Sequence, residues 1–186
     1  MNYTTKAHLF DFFERFNDLW KTQQKSLPQT FFDSQWISLC QIGAVENDLI
    51  HWSPVKRERA VDLSNIEQAL DIKLHPSIVD FFCSAYSAGL PATYQDHPIE
   101  LIQVWNEQDF NLLQENMIAH FMMQKRLKQP ASMFIASCSD EMQIVSVLND
   151  TGQVQLETLG KGQEAILAEN LADFLDGLTP VIEESE

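Results

Sequence analysis

Three apolar runs, Met133-Phe134-Ile135-Ala136, Ile144-Val145-Ser146-Val147-Leu148 and Val154-Gln155-Leu156-Glu157, follow one another with short joins, the second through Asn149-Asp150-Thr151-Gly152. A parallel pair needs a crossover of about a dozen residues or more, so these runs must pair antiparallel.

The clearest helix precedes them. Asn106-Glu107-Gln108-Asp109 opens it, Phe110, Leu113, Met117 and Phe121 recur at helical spacing, and Lys125-Arg126-Leu127-Lys128 closes it before Pro130. Acids in the first turn and bases in the last both complement the helix dipole. Upstream, Pro91 to Trp105 alternates at Ile99 and Leu101 and then Gln103 and Trp105, which predicts one or two strands.

Toward the N-terminus, Leu9, Phe13, Phe16 and Trp20 mark an amphipathic helix from about Thr5 to Lys25, ended by Pro28. A short strand is expected at Leu49-Ile50-His51-Trp52. Ser64 and Glu67 stand at capping-box spacing before a short helix, and Pro76 suits the first turn of a second one, with Gly89 where that helix could stop. A last helix is expected from about Glu164 to Leu178, with Ile166, Leu167, Leu171, Phe174, Leu175 and Leu178 facing inward and Pro180 after it. The expected fold is a single α/β (α+β) domain over residues 1–186, with a central, largely antiparallel sheet flanked by helices. At 45% hydrophobic residues the 186-residue chain has ample material for one core.

Charge restricts the partners. Twelve Lys and Arg stand against 27 Asp and Glu, a formal charge of -15, and residues 131–186 carry -10 of it. Such a chain repels polyphosphate and anionic lipid, which argues against nucleic-acid binding. Its 12 Phe, 4 Trp and 3 Tyr argue for a folded acidic surface rather than disorder. Cys40, Cys83 and Cys138 have no paired spacing, and Met1-Asn2-Tyr3-Thr4-Thr5 has no basic-then-apolar leader, which favours a reducing cytoplasm without disulfides. No run of about 18 apolar residues is present, so any membrane contact should be peripheral.

Signals for chemistry are weak. His8, His51, His75, His97 and His120 form no i, i+4 pair of the kind that binds zinc from a helix, so no metal is expected. Gly160-Lys161-Gly162 lacks the rest of a phosphate loop and reads as a turn. Cys138, beside Ser137 and Ser139, is better read as a small buried hydrophobe than as a nucleophile. The carboxylate pairs Glu107 with Asp109 and Asp140 with Glu141 fit loops and caps better than acid–base catalysis. Met117, Met122 and Met123 could form an adaptable binding surface, but core packing is favoured. Glu183-Glu184-Ser185-Glu186 reads as a frayed end. No enzyme activity, cofactor or small-molecule substrate is expected.

Two stretches resemble a known family. Ile66 to Phe82, through Leu74-His75-Pro76, is similar to the helix, Leu-x-Pro, helix opening of the SUKH superfamily. Trp105 to Phe110, Gln114-Glu115-Asn116, Gln124 to Lys128, Phe134-Ile135-Ala136, Glu157-Thr158-Leu159-Gly160 and the Asn170-to-Leu175 ending resemble its Syd branch, the SecY-interacting proteins. The resemblance implies a non-enzymatic, cytoplasmic protein, peripheral on the cytoplasmic side of the inner membrane. It also implies binding to the SecY subunit of the protein-export channel through a concave acidic surface. Asp96, Glu100, Glu107, Asp109, Glu115, Asp140, Glu141 and Glu157 fall in or beside the Syd-like segments and are the candidate contact acids. The wider superfamily offers an alternative, an immunity protein that blocks a basic toxin.

Overall fold

The structure, a computed structural model, describes residues 4–182; the opening Met1-Asn2-Tyr3 and the tail Glu183-Glu184-Ser185-Glu186 lie outside them. Helix α1 (Thr5–Gln23) buries Leu9, Phe12, Phe13 and Phe16, with Trp20 half-buried against Phe16. A small sheet follows, ordered β1-β3-β2 from β1 (Gln29–Phe31), β2 (Gln41–Glu46) and β3 (Leu49–Trp52). Next come β4 (Val55–Lys56), α2 (Ser64–Leu70), α3 (Pro76–Cys83) and β5 (Ala85–Tyr86), with β4 and β5 paired.

The main sheet is assembled from β6 (Leu90–Tyr94), β7 (His97–Leu101), β8 (Ser132–Cys138), β9 (Gln143–Leu148), β10 (Val154–Thr158), β11 (Gly162–Ala168) and β12 (Leu178–Pro180). Between β7 and β8 runs α4 (Glu107–Leu127), and between β11 and β12 runs α5 (Leu171–Asp176). The strand order is β11-β10-β9-β8-β7-β6-β12, and every neighbouring pair is antiparallel. A seven-stranded antiparallel sheet flanked by helices thus realises the expected fold class.

Strand register divides the sheet into two faces. Leu90, Ala92, Tyr94, Leu101, Ala136 and Val145 share one, where Tyr94 packs on Phe174 of α5 with ring centroids 4.7 Å apart. Phe134, Ser146 and Gln155 share the other, which lies under α4; His120 meets Phe134 edge-on at 5.4 Å. The core includes the fully buried Phe12, Phe16, Phe81, Phe82 and Phe174, each stabilising the fold by about 1.5–3 kcal/mol through burial.

Three expectations are corrected. Residues 162–168 form an edge strand, not the start of a helix. The turn at Gly160 and Gly162, with φ of +79° and +96°, reverses the chain onto β10, so Ile166 pairs with Gln155 and the helix begins only at Leu171, capped by Asn170. The capping box at Ser64 does not form: Asp62 accepts from Ser64 N, while Glu67 accepts from Leu74 N and Lys73 Nζ. Finally, α3 stops at Cys83, because Ala85–Tyr86 is drawn into pairing with β4. Gly89 serves a different need, since a Cβ there would overlap the carboxylate of Glu100.

Candidate functional site

Several side-chain hydrogen bonds fix the start of α4. Asn106 caps the helix by accepting from Asp109 N at 2.9 Å, and Asp109 Oδ2 accepts from Trp105 N at 2.7 Å. Against this corner lies the segment Trp36-Ile37-Ser38. Trp105 Nε1 donates to Trp36 O at 2.9 Å, Asn106 Nδ2 donates to Ile37 O at 3.0 Å, and Ser38 Oγ donates to Trp105 O. Trp52 of β3 stacks on Phe16 and meets Trp105 edge-on, each at 6.0 Å, so the small sheet is anchored to both α1 and the α4 start.

Two hollows flank that segment. One, of about 210 Å3, has Phe31, Asp33, Trp36, Gln103, Trp105 and Asp109 in its wall, with Ser87 to Gly89 beside them. The other, of about 320 Å3, is lined by Ile37, Leu39, Tyr86 and Glu107. Phe31, Ile37 and Leu39 are 80%, 59% and 73% exposed, large apolar side chains with little cover of their own.

Beneath the second hollow sits Arg57, its side chain only 3% exposed. The guanidinium lies 4.0 Å from the Tyr86 ring centre and 4.4 Å from that of Phe110, and Nη1 bonds Glu107 Oε1 at 2.9 Å and Tyr86 Oη at 3.0 Å. Tyr86 also donates to Glu107. Burial above all, with its bond to Glu107 adding, pushes the Tyr86 phenol up to about 12, so it remains a donor at neutral pH.

The structure distributes the eight candidate acids unevenly. Glu107 and Asp109 edge the two hollows, and the carboxylate of Glu100 lies against Gly89 in the wall of the first. Glu115 is exposed farther along α4. Asp140 lines a different cleft of about 510 Å3, on the opposite sheet face over Ile99, Val145 and Leu156, with Asp96 and Glu141 exposed in the flanking turns. Glu157 is 1% exposed and cannot touch a partner, which corrects its assignment as a contact acid. Strand alternation turns its carboxylate inward beneath α4. There Ser132 Oγ and Ser146 Oγ donate to Oε2 at 2.6 and 2.8 Å, Gln155 Nε2 donates to Oε2 at 3.2 Å, and Gln124 Nε2 donates to Oε1 at 3.3 Å.

Asp33, Gln103, Arg57 and the exposed Ile37 and Leu39 were not singled out by sequence. Burial raises the Cys40 and Cys83 thiols to about 11 and about 12, and raises Cys138, so none is an activated nucleophile. Among the described residues no three His, Cys, Asp or Glu side chains converge as metal ligands, and no helix is long and apolar enough to cross a membrane.

A helix, Leu-x-Pro, helix opening that feeds an antiparallel sheet, with surface hollows edged by acids and aromatics, defines an α/β domain of the SUKH type. Within that class the chain belongs to the Syd family, described as Syd protein (SUKH-2), which matches residues 6–180. It is 84% identical over 182 residues to Protein Syd of Psychromonas ingrahamii, covering 98% of this chain and 99% of that protein. Protein Syd of Aliivibrio fischeri (strain MJ11) is 39% identical over 184 residues, with 98% and 99% covered. Protein Syd of Yersinia pseudotuberculosis is also 39% identical over 184 residues, with 99% and 100% covered.

Proposed function

We propose that this protein is a non-enzymatic binding module that docks on the basic cytoplasmic loops of SecY. On this reading it is a cytoplasmic protein, held on the inner membrane by its partner and monitoring or regulating the channel. The observation that carries the proposal is the grouping of Glu100, Glu107 and Asp109 with Asp33 around the hollows at the start of α4. Family membership supports the identity of the partner, and the net charge of -15 supports its basic character. Cytoplasmic loops of membrane proteins are rich in Lys and Arg, while the surrounding anionic lipid repels an acidic protein, so the protein partner must supply the attachment. In this scheme Asp96, Glu115, Asp140 and Glu141 contribute to the long-range field that steers the encounter, and the α4 corner makes the contact.

Binding to membrane vesicles with and without SecY tests the reading. Association should require SecY, and its rate should fall as salt shortens the screening length from about 10 Å at 0.1 M to about 3 Å at 1 M. Equal binding to both vesicles, or association indifferent to salt, would remove SecY as the partner or charge as the steering force.

A further inference from the structure

Of the 12 Lys and Arg in the chain, every one after Lys73 lies at one corner of the fold: Lys125, Arg126 and Lys128 at the end of α4, and Lys161 in the turn between β10 and β11. Packing brings that turn to the helix end, since a Cβ on Gly162 would stand 3.3 Å from Gln129 Nε2. All four cationic residues are exposed, and none forms an ion pair among the described residues. No Asp or Glu occurs from residue 116 to residue 139, the stretch that holds the first three. Of the acids on the adjoining strands, Glu157 is sealed beneath α4 among its donors, and Glu164 bonds Thr158 and Gln143 on the opposite sheet face. Asp150 stands in the turn at the other end of β10. On a chain of net charge -15 this corner is basic.

The helix dipole accounts for Lys125, Arg126 and Lys128, but not for Lys161 or for the apolar side chains set among them. Met122, one turn before Lys125 and Arg126, is 60% exposed, and Leu127 is 45% exposed. Cations interleaved with uncovered apolar side chains fit a layer that is anionic outside and apolar a few ångströms deeper, the headgroup region of a bilayer. A nucleic acid would use the cations and leave Met122 and Leu127 in water. Distance allows this on an acidic protein. Helix α4 has 21 residues and is about 30 Å long, so Glu107 and Asp109 at its start lie more than three screening lengths away at 0.15 M salt, where that length is about 8 Å.

We propose that the C-terminal end of α4, with Lys161 beside it, is a lipid-facing surface that rests on anionic headgroups and fixes the orientation of the docked protein. The inference rests on the docking reading above. SecY supplies the attachment against long-range repulsion, and the basic corner acts at contact, holding the acidic start of α4 away from the lipid.

The full chain should be assayed by flotation on vesicles of phosphatidylcholine with or without phosphatidylglycerol, each with or without SecY. With SecY at about 0.15 M salt, phosphatidylglycerol should tighten binding of the parent about tenfold. Combining Lys125→Gln, Arg126→Gln, Lys128→Gln and Lys161→Gln should erase that gain, yet leave SecY binding in phosphatidylcholine as in the parent. Met122→Gln with Leu127→Gln keeps every charge and should cut the gain about threefold. Without SecY the gain should pass through a maximum with salt: repulsion by the whole protein dominates when screening is weak, and the contact fails when screening is strong. Equal gains for the parent and the Lys/Arg→Gln variant would overturn the surface. Capture of single-stranded RNA by the parent with no gain on phosphatidylglycerol would assign the corner to nucleic acid and overturn it too. A lipid gain that persists when SecY makes no difference leaves the surface standing and sinks SecY as the partner, whereas SecY binding without a lipid gain sinks the surface alone.

Discussion

Glu157→Ala tests what holds α4 on the sheet. Removing the carboxylate takes away the acceptor to which the hydroxyls of Ser132 and Ser146 donate in this structure. Gln124 Nε2 keeps Ser132 Oγ at 2.6 Å and Gln155 Nε2 keeps Ser146 Oγ at 3.0 Å, so the amides lose less. With about 1–3 kcal/mol for each orphaned buried donor, two of them set a loss of about 2–6 kcal/mol, centred near 4. For a domain of this size about 4 kcal/mol corresponds to a fall in Tm of roughly 8–16 °C. Glu157→Gln keeps the volume and one oxygen but turns amide hydrogens toward a neighbouring donor, and should lose only about 1–2 kcal/mol. Urea unfolding followed by tryptophan fluorescence, with a common m value, gives both figures. A loss under about 1 kcal/mol for Glu157→Ala, or equal losses for the two variants, would refute the network argument. Binding per folded molecule should be unchanged in Glu157→Gln, because the residue lies under the helix.

Arg57→Ala should destabilise by about 2–4 kcal/mol, since it empties the space between Tyr86 and Phe110 as well as breaking an ion pair, whereas Glu107→Gln, on the exposed side of that pair, should lose about 1 kcal/mol or less; thermal melts compare them. Asn106→Ala removes the α4 cap and one tether of the 36–38 segment and should lose about 1 kcal/mol in the same assay. Burial depresses the His120 pKa below 6.5, only partly opposed by the charge of Glu157, so the unfolded chain takes up a proton before the folded one does. Stability should therefore be full above about pH 6.5 and decline as pH falls through the depressed value, by at most about 1.4 kcal/mol per pH unit from this group. His120→Phe should flatten that part of the pH–stability curve, and an unchanged slope would assign it to other groups.

Local pattern determined much of this protein. Helix α4 announced itself through Asn106, the Phe110, Leu113, Met117 and Phe121 stripe and its terminal bases, and β8 to β10 through apolar runs with joins too short for anything but antiparallel pairing. These signals act between residues near in sequence, so the chain displays them directly. The segment from 162 to 168 was misread because its apolar residues fit a helix equally well, and only the open edge of β10 decided otherwise. Glu157 and Glu107 look alike in sequence, yet one is sealed beneath α4 by strand parity and the other stands at a hollow. The hollow at the α4 corner depends entirely on tertiary structure: Asp33, Gln103 and Asp109 come from separate segments and meet only in the fold. Net acidity was legible from composition, whereas which carboxylates stand at a hollow and which are buried was set by which distant residues the sheet and the α4 corner bring together.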